Sequence, residues 1–160
     1  MSSQVLSTQV SVEPGLHAWI RFLRAHAALT RELSARLEAD HGLTLSDYDV
    51  LVQLYYAPER ALRRVDLART VLLTASGITR LLDGLEREGW VAKKPCATDA
   101  RVTYAALTDE GVRRLEAAQE THLADLEELF SGVFNEEERV QLGELLGRLP
   151  LANAGACNDE

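Results

Sequence analysis

Asp99 and Arg101 stand two residues apart in the stretch ATDARVTYAALTDEG, Ala97 to Gly111, where the chain is expected to reverse. A carboxylate and a guanidinium at that spacing could serve as a catalytic acid with its partner, as a surface ion pair, or as a cationic fingertip offered to a polyanion. A second polar set, Ser76, Thr79 and Arg80, recurs at helical spacing. Two hydroxyl donors and a guanidinium on one helix face suit hydrogen bonding to phosphates or to base edges. Gly77 beside them would let that helix start approach a partner backbone closely, and Asp83 further along suits pairing with an arginine.

Charge separates these chemistries. The chain carries a formal −8, yet nine basic residues against five acidic ones fall between Arg60 and Tyr104. That segment is therefore +4 and the remainder −12. Basic charge gathered into one stretch can hold a polyanion locally while the acidic remainder limits indiscriminate adhesion. Chance clustering is the bland alternative. Within the stretch, Arg63, Arg64, Arg69, Lys93 and Lys94 are the expected phosphate contacts, which position a protein without reading sequence.

Other chemistries lack their parts. No nucleophile–base pair, metal cluster or phosphate-cradling glycine loop stands out, so the expectation is not an enzyme. His17, His26, His41 and His122 are dispersed, and no spacing suits a tetrahedral metal. No cofactor is expected. Cys96 and Cys157 form no C-x-x-C pair and are too few for a disulfide framework. Cys96 does sit beside Lys93 and Lys94, a setting that favours a reactive thiolate, although an ordinary exposed cysteine is the plainer account. The N-terminus has no basic start and apolar core of a secretory signal, and no apolar run approaches the ~20 residues of a membrane span. The expected place is the cytoplasm.

The elements that must position these residues are mostly helical. Residues 1–15 read as a polar lead-in ending at Pro14 and Gly15. Leu16, Trp19, Ile20, Leu23, Ala27, Leu33 and Leu37 then mark the buried stripe of a helix stopped by Gly42. Ser46 is expected to cap a second helix that ends at Pro58. RRVDLARTVLL supports a short third helix burying Val65, Leu67 or Ala68, and Val71. Thr74 would cap a fourth, whose inward stripe is Ile78, Leu81, Leu82 and Leu85. Two short helices joined by a tight turn make a helix-turn-helix.

After Gly89 the period changes to that of a strand, and WVAKKP and ARVTYAAL read as a two-stranded wing with Asp99 and Arg101 at its tip. Thr108 caps a long helix to about Phe130, and Asn135 caps a last one ended by Pro150. The order is α-α-α-α-β-β-α-α. The fold class expected is mostly α with a small β-hairpin wing: a winged helix-turn-helix over 46–107, long terminal helices over 16–41 and 108–149, and a tail over 150–160. Those terminal helices hold more apolar surface than so small a chain buries alone, which favours a dimer over a monomer whose core they simply cap.

Three fragments in order, LTLSDYDVLVQL, DLARTVLLTASGITRLLDGLEREGWVAK and TDARVTYAALTDEG, resemble the MarR family of bacterial transcriptional regulators. The last carries that family's wing signature, Asp-x-Arg followed by Leu-Thr-x-x-Gly, here Asp99, Arg101, Leu107, Thr108 and Gly111. The similarity spans nearly everything from Leu16 to Leu149. It implies a homodimer whose base is built from the first and last two helices, with two winged lobes on a pseudo-palindromic double-stranded DNA site. It also implies that Arg101 enters the narrow minor groove, with Asp99 holding the guanidinium, and that Ser76, Thr79 and Arg80 face the major groove. A surface pair remains the alternative for Asp99 and Arg101.

Many MarR-like proteins release DNA when a small aromatic acid or phenol binds between the dimer base and the winged lobe. The matching material here is His17, Trp19, Arg21 and Arg24 of the first helix with Tyr48, Asp49, Tyr55 and Tyr56 of the second. Arginine beside aromatics would pair with a carboxylate while rings cover an apolar body. The plain alternative places Trp19 and Tyr48 in the core and the arginines in solvent. Peroxide-sensing members use a cysteine near the start of the first helix, which this chain lacks. A repressor is the expected direction. A redox-responsive repressor acting through Cys96, or a winged-helix protein–protein module without DNA binding, stands as the alternative.

Overall fold

The computed structural model describes residues 13–71, 75–96, 99 and 101–149. The expected Thr74 cap, the lead-in before residue 13, the tail from Pro150 and the tip residues Ala97, Thr98 and Ala100 lie outside the described residues. Helix α1 runs Pro14–His41, two residues earlier than the apolar stripe implies, because proline is well suited to a first helical turn where its missing N–H is no loss. Gly42 ends it in the left-handed region at φ 64°, its N–H returning to Glu38 O.

Helix α2 is Leu45–Tyr56, and its cap is Thr44 rather than the expected Ser46. The Thr44 hydroxyl accepts from Asp47 N–H at 3.1 Å while Asp47 Oδ2 accepts from Thr44 N–H at 2.9 Å. This reciprocal box satisfies both the Thr44 and the Asp47 N–H and starts the helix ahead of Ser46, which lies inside its first turn. Three more helices and two strands follow in the expected order: α3 Arg64–Thr70, α4 Ala75–Arg87, β2 Val91–Pro95, β3 Thr103–Leu107 and α5 Asp109–Leu129. Helix α6, Glu136–Gly147, closes the series with an Asn135–Glu138 capping box.

The wing differs from expectation in one respect. A further strand, β1 Ala61–Arg63, precedes α3 and pairs antiparallel with β3, so the sheet has three strands in the order β1-β3-β2. Three residues are too few to display a two-residue period; the outer edge of β3, with its unpaired backbone groups, recruits them. Ala61 lies opposite Ala106 and Arg63 opposite Tyr104, while Val91 pairs with Leu107 and Pro95 with Thr103.

Leu37, Leu51, Leu54, Leu67, Leu82, Leu85 and Leu115 are fully enclosed and join α1, α2, α3, α4 and α5 into one core. Each contributes about 1.5–3 kcal/mol by burial. Ile78, Leu82 and Leu85 are the inward stripe of α4, as expected, whereas Val65 is 60% exposed and leaves Leu67 as the anchor of α3. The apolar stripe of α1 splits: Leu33 and Leu37 are buried, but Leu16, Trp19 and Leu23 lie exposed, as does Phe22 outside the stripe. Helix α6 buries nothing, and Val140, Leu145 and Leu149 are exposed as well. Large apolar side chains of the first and last helices thus face outward.

Candidate nucleic-acid interface

Burial of Ile78, Leu82 and Leu85 turns the opposite side of α4 outward. Ser76, Thr79, Arg80, Asp83 and Arg87 line an open groove of about 480 Å³ there. Gly77, on the first turn, is half-buried. Among the described residues Arg69, Arg80 and Arg101 enter no ion pair. All three are exposed.

At the wing tip, Cys96 N–H donates to Val102 O at 3.1 Å and Val102 N–H to Asp99 O at 3.0 Å, closing the turn. The Asp99 carboxylate does not hold the Arg101 guanidinium. Its Oδ1 accepts the main-chain N–H of Arg101 at 2.9 Å. An aspartate accepting from the backbone two residues on is a local turn-forming device, and it corrects the expected role. Asp99 shapes the turn that carries Arg101 rather than clamping its head group.

Four of the five expected phosphate contacts are already engaged. Arg63 Nε lies 2.6 Å from Asp66 Oδ2, Lys94 Nζ 2.8 Å from Glu59 Oε2, Lys93 Nζ 3.0 Å from Glu86 Oε2, and Arg64 Nη2 3.1 Å from Glu86 Oε1. The hydrogen bond from Lys94 holds the Glu59 carboxyl below the usual range. Arg69 alone of that set has no such partner among the described residues. Asp83 reaches Arg64 Nη2 at 3.8 Å, in line with its expected part as an arginine's partner.

The base of the wing is locked to α5 through one glycine. Thr108 N–H donates to Trp90 O at 3.1 Å, and the Thr108 hydroxyl accepts from Gly111 N–H at 3.0 Å. A Cβ on Gly111 would lie 2.1 Å from Trp90 O. The Leu-Thr-x-x-Gly run therefore lets the α5 start rest directly on the turn leading into β2.

The residues grouped as an effector site do not assemble. Arg21 Nε donates to His17 Nε2 at 3.2 Å on the exposed start of α1. Trp19 stacks on Phe22 with ring centroids 6.1 Å apart, Arg24 is exposed, and Tyr55 packs edge-on against Tyr56 beneath the Arg60 guanidinium. Only Tyr48 and Asp49 enter a common groove, of about 810 Å³, between α1, α2 and α5. Its other walls are His26, Thr30, Arg31, Ser34, Leu45, Ser46, Val71 and His122. His26, Thr30 and Ser34 recur every four residues along α1, a polar face that periodicity offers without saying what it meets.

Tyr48 and His122 lie with ring centroids 4.6 Å apart, and His122 Nδ1 is buried with no hydrogen-bond partner among the described residues. Burial lowers the proton affinity of His122, partly opposed by Asp125, and pushes the Asp49 carboxyl and the Tyr48 phenol up. In all three groups burial works against the charged form. Cys96 is half-buried in a separate groove of about 680 Å³ with Arg63, Lys94 and Tyr104. No group of three or more metal-ligating side chains occurs among the described residues. No described helix is long and apolar enough to cross a membrane.

A recognition helix with an outward polar face, a preceding short helix and a three-stranded wing with an exposed arginine define a winged helix-turn-helix protein. The MarR family model matches residues 41–102. Over 139 residues the chain is 30% identical to the HTH-type transcriptional regulator MhqR of Bacillus subtilis, covering 87% of this chain and 93% of that protein. Sco3205, a MarR family transcriptional regulator from Streptomyces coelicolor solved in complex with DNA, is 29% identical with a TM-score of 0.78, covering 84% of this chain and 87% of that one. A mutant MarR from E. coli, complexed with operator DNA, is 25% identical with a TM-score of 0.72, covering 86% of this chain and 95% of that one. The chain belongs to the MarR family and is a transcriptional regulator.

Proposed function

We propose that the protein acts as a homodimeric repressor on a pseudo-palindromic double-stranded operator. In this mechanism α4 enters the major groove, with Ser76, Thr79 and Arg80 toward the bases, and the Arg101 wing tip enters the flanking minor groove. The observation that carries it is the division of α4 into a buried stripe and an outward polar face lined by Ser76, Thr79 and Arg80. Relatives captured on DNA support it. The exposed apolar residues of α1 and α6 are the material for a two-fold base, since a second copy would cover both sets at once.

The groove between α1, α2 and α5 is the effector site of this proposal. Its floor of Tyr48, Val71 and His122 suits a small aromatic ring, Asp49 and His122 offer hydrogen-bonding atoms to a phenol, and Arg31 at the rim suits a carboxylate. A gel shift at low salt with fragments from the gene's own upstream region, followed by release with small phenols and aromatic acids, tests both parts. A protein that shifts none of these fragments refutes the repressor; release by no member of the panel refutes the effector site. A second reading, oxidation of Cys96, is favoured by the placement of its thiol among Arg63, Lys94 and Tyr104 at the base of the wing. It predicts peroxide-driven release that Cys96→Ser abolishes.

A further inference from the structure

Glu86, near the end of α4, splits its carboxylate between two cations. Oε1 accepts from Arg64 Nη2 at 3.1 Å, and Oε2 lies 3.0 Å from Lys93 Nζ. Arg64 opens α3 and Lys93 stands midway along β2, so one side chain joins the first helix of the helix-turn-helix, the recognition helix and the wing. The Glu86 side chain is only 17% exposed. Asp83, about one turn earlier on the same helix, adds Oδ1 at 3.8 Å from the same Arg64 nitrogen. Two cations and two carboxylates leave this cluster without net charge, inside a segment whose sequence balance is +4.

We propose that Glu86 limits DNA affinity by withholding Arg64 and Lys93 from the phosphate backbone. A phosphate oxygen reaching either cation must displace a carboxylate oxygen already at hydrogen-bonding distance, and that carboxylate is held between both cations and largely out of water. The sequence-independent part of binding scales with the number of phosphates neutralised. It therefore falls to cations such as Arg69, Arg80, Arg87 and Arg101, which have no ion pair among the described residues. Glu86 acts through Arg64 and Lys93 and touches no DNA itself. The proposal rests on the winged lobe being the DNA-contacting surface.

The test is the dependence of DNA affinity on salt, with an operator fragment and an unrelated duplex, for wild type and Glu86→Gln. Freed cations steepen the log–log slope by about 0.9 for each phosphate gained, so by up to about 1.8 if both engage. Between about 50 and 200 mM salt the variant then loses roughly three to twelve times more affinity than wild type, having started tighter. The double variant Glu86→Gln/Lys93→Ala reverses part of that gain. Lys93→Ala alone, which needs no change at Glu86, flattens the slope by less than half as much as Arg101→Ala does. An unaltered or flatter slope in Glu86→Gln with weaker binding, or a full phosphate's worth of slope lost in Lys93→Ala, overturns the proposal. A wild type that binds neither duplex at low salt overturns the reading of the lobe instead, which keeps the two failures apart.

Discussion

Gly111→Ala sets two forces against each other. Helix propensity alone favours the alanine by about 1 kcal/mol, because glycine carries more backbone entropy into a helix. Packing opposes it. The new Cβ would lie 2.1 Å from Trp90 O and 2.7 Å from Leu107 Cδ1, so the start of α5 must move by roughly an ångström relative to the turn that leads into β2. Overpacking of that kind costs about 1–3 kcal/mol. The shift also strains the Thr108 cap, about 1 kcal/mol, and the Thr108 N–H to Trp90 O bond, about 1 kcal/mol. After subtracting the propensity gain, the variant is destabilised by about 2–4 kcal/mol. Urea unfolding followed by far-ultraviolet circular dichroism, at matched protein concentration, measures it. An alanine variant as stable as wild type, or more stable, refutes the packing account and leaves propensity in command.

Three other outcomes follow from the same geometry. Arg101→Ala weakens binding to every duplex and flattens the salt slope by about 0.9, read by fluorescence anisotropy across a salt series. The folded state disfavours protonation of His122, so the unfolded chain binds the extra proton first: stability is intact above the ordinary histidine value of about 6.5 and is lost as pH falls below it, by at most about 1.4 kcal/mol per pH unit. Melting His122→Phe and wild type at a series of pH values checks this, since the variant lacks that slope; Asp49, with its carboxyl pushed up, contributes the opposite sign nearer the carboxylate range and remains in both. Trp19→Glu with Leu145→Glu, at residues 54% and 48% exposed, converts the proposed dimer to monomer by sedimentation velocity; an unchanged sedimentation coefficient refutes the two-fold base.

The outward polar face of α4 and the wing-tip place of Arg101 were largely legible from the chain itself, and the groove between α1, α2 and α5 was not. Ser76, Thr79 and Arg80 follow from Ile78, Leu82 and Leu85: once three residues of a helix are known to be buried, geometry dictates the opposite face. Arg101 at a wing tip follows from turn chemistry and strand alternation, both local. The groove has no such rule. Tyr48 meets His122 across two helices far apart in sequence, and His26, Thr30 and Ser34 become its wall only because α5 packs beside α1. Proximity in sequence to aromatic residues pointed instead to Trp19, Arg21 and Arg24, which stand on exposed turns.

What the amino-acid order alone determined is the succession of helices and of the two longer strands, the inward stripe of α4, the caps at Thr108 and Asn135 and the stop at Gly42. Each depends on residues within about one or two helical turns, where periodicity and capping act. Tertiary structure decided which cations remain unpaired and which are held: Lys94 meets Glu59 and Lys93 meets Glu86 only when the strands return beside the helices. It also recruited Ala61–Arg63 into the sheet and gave Asp99 to the backbone rather than to a guanidinium. Charge pairing acts through space over a few ångströms, and the chain's linear order carries no direct record of those distances.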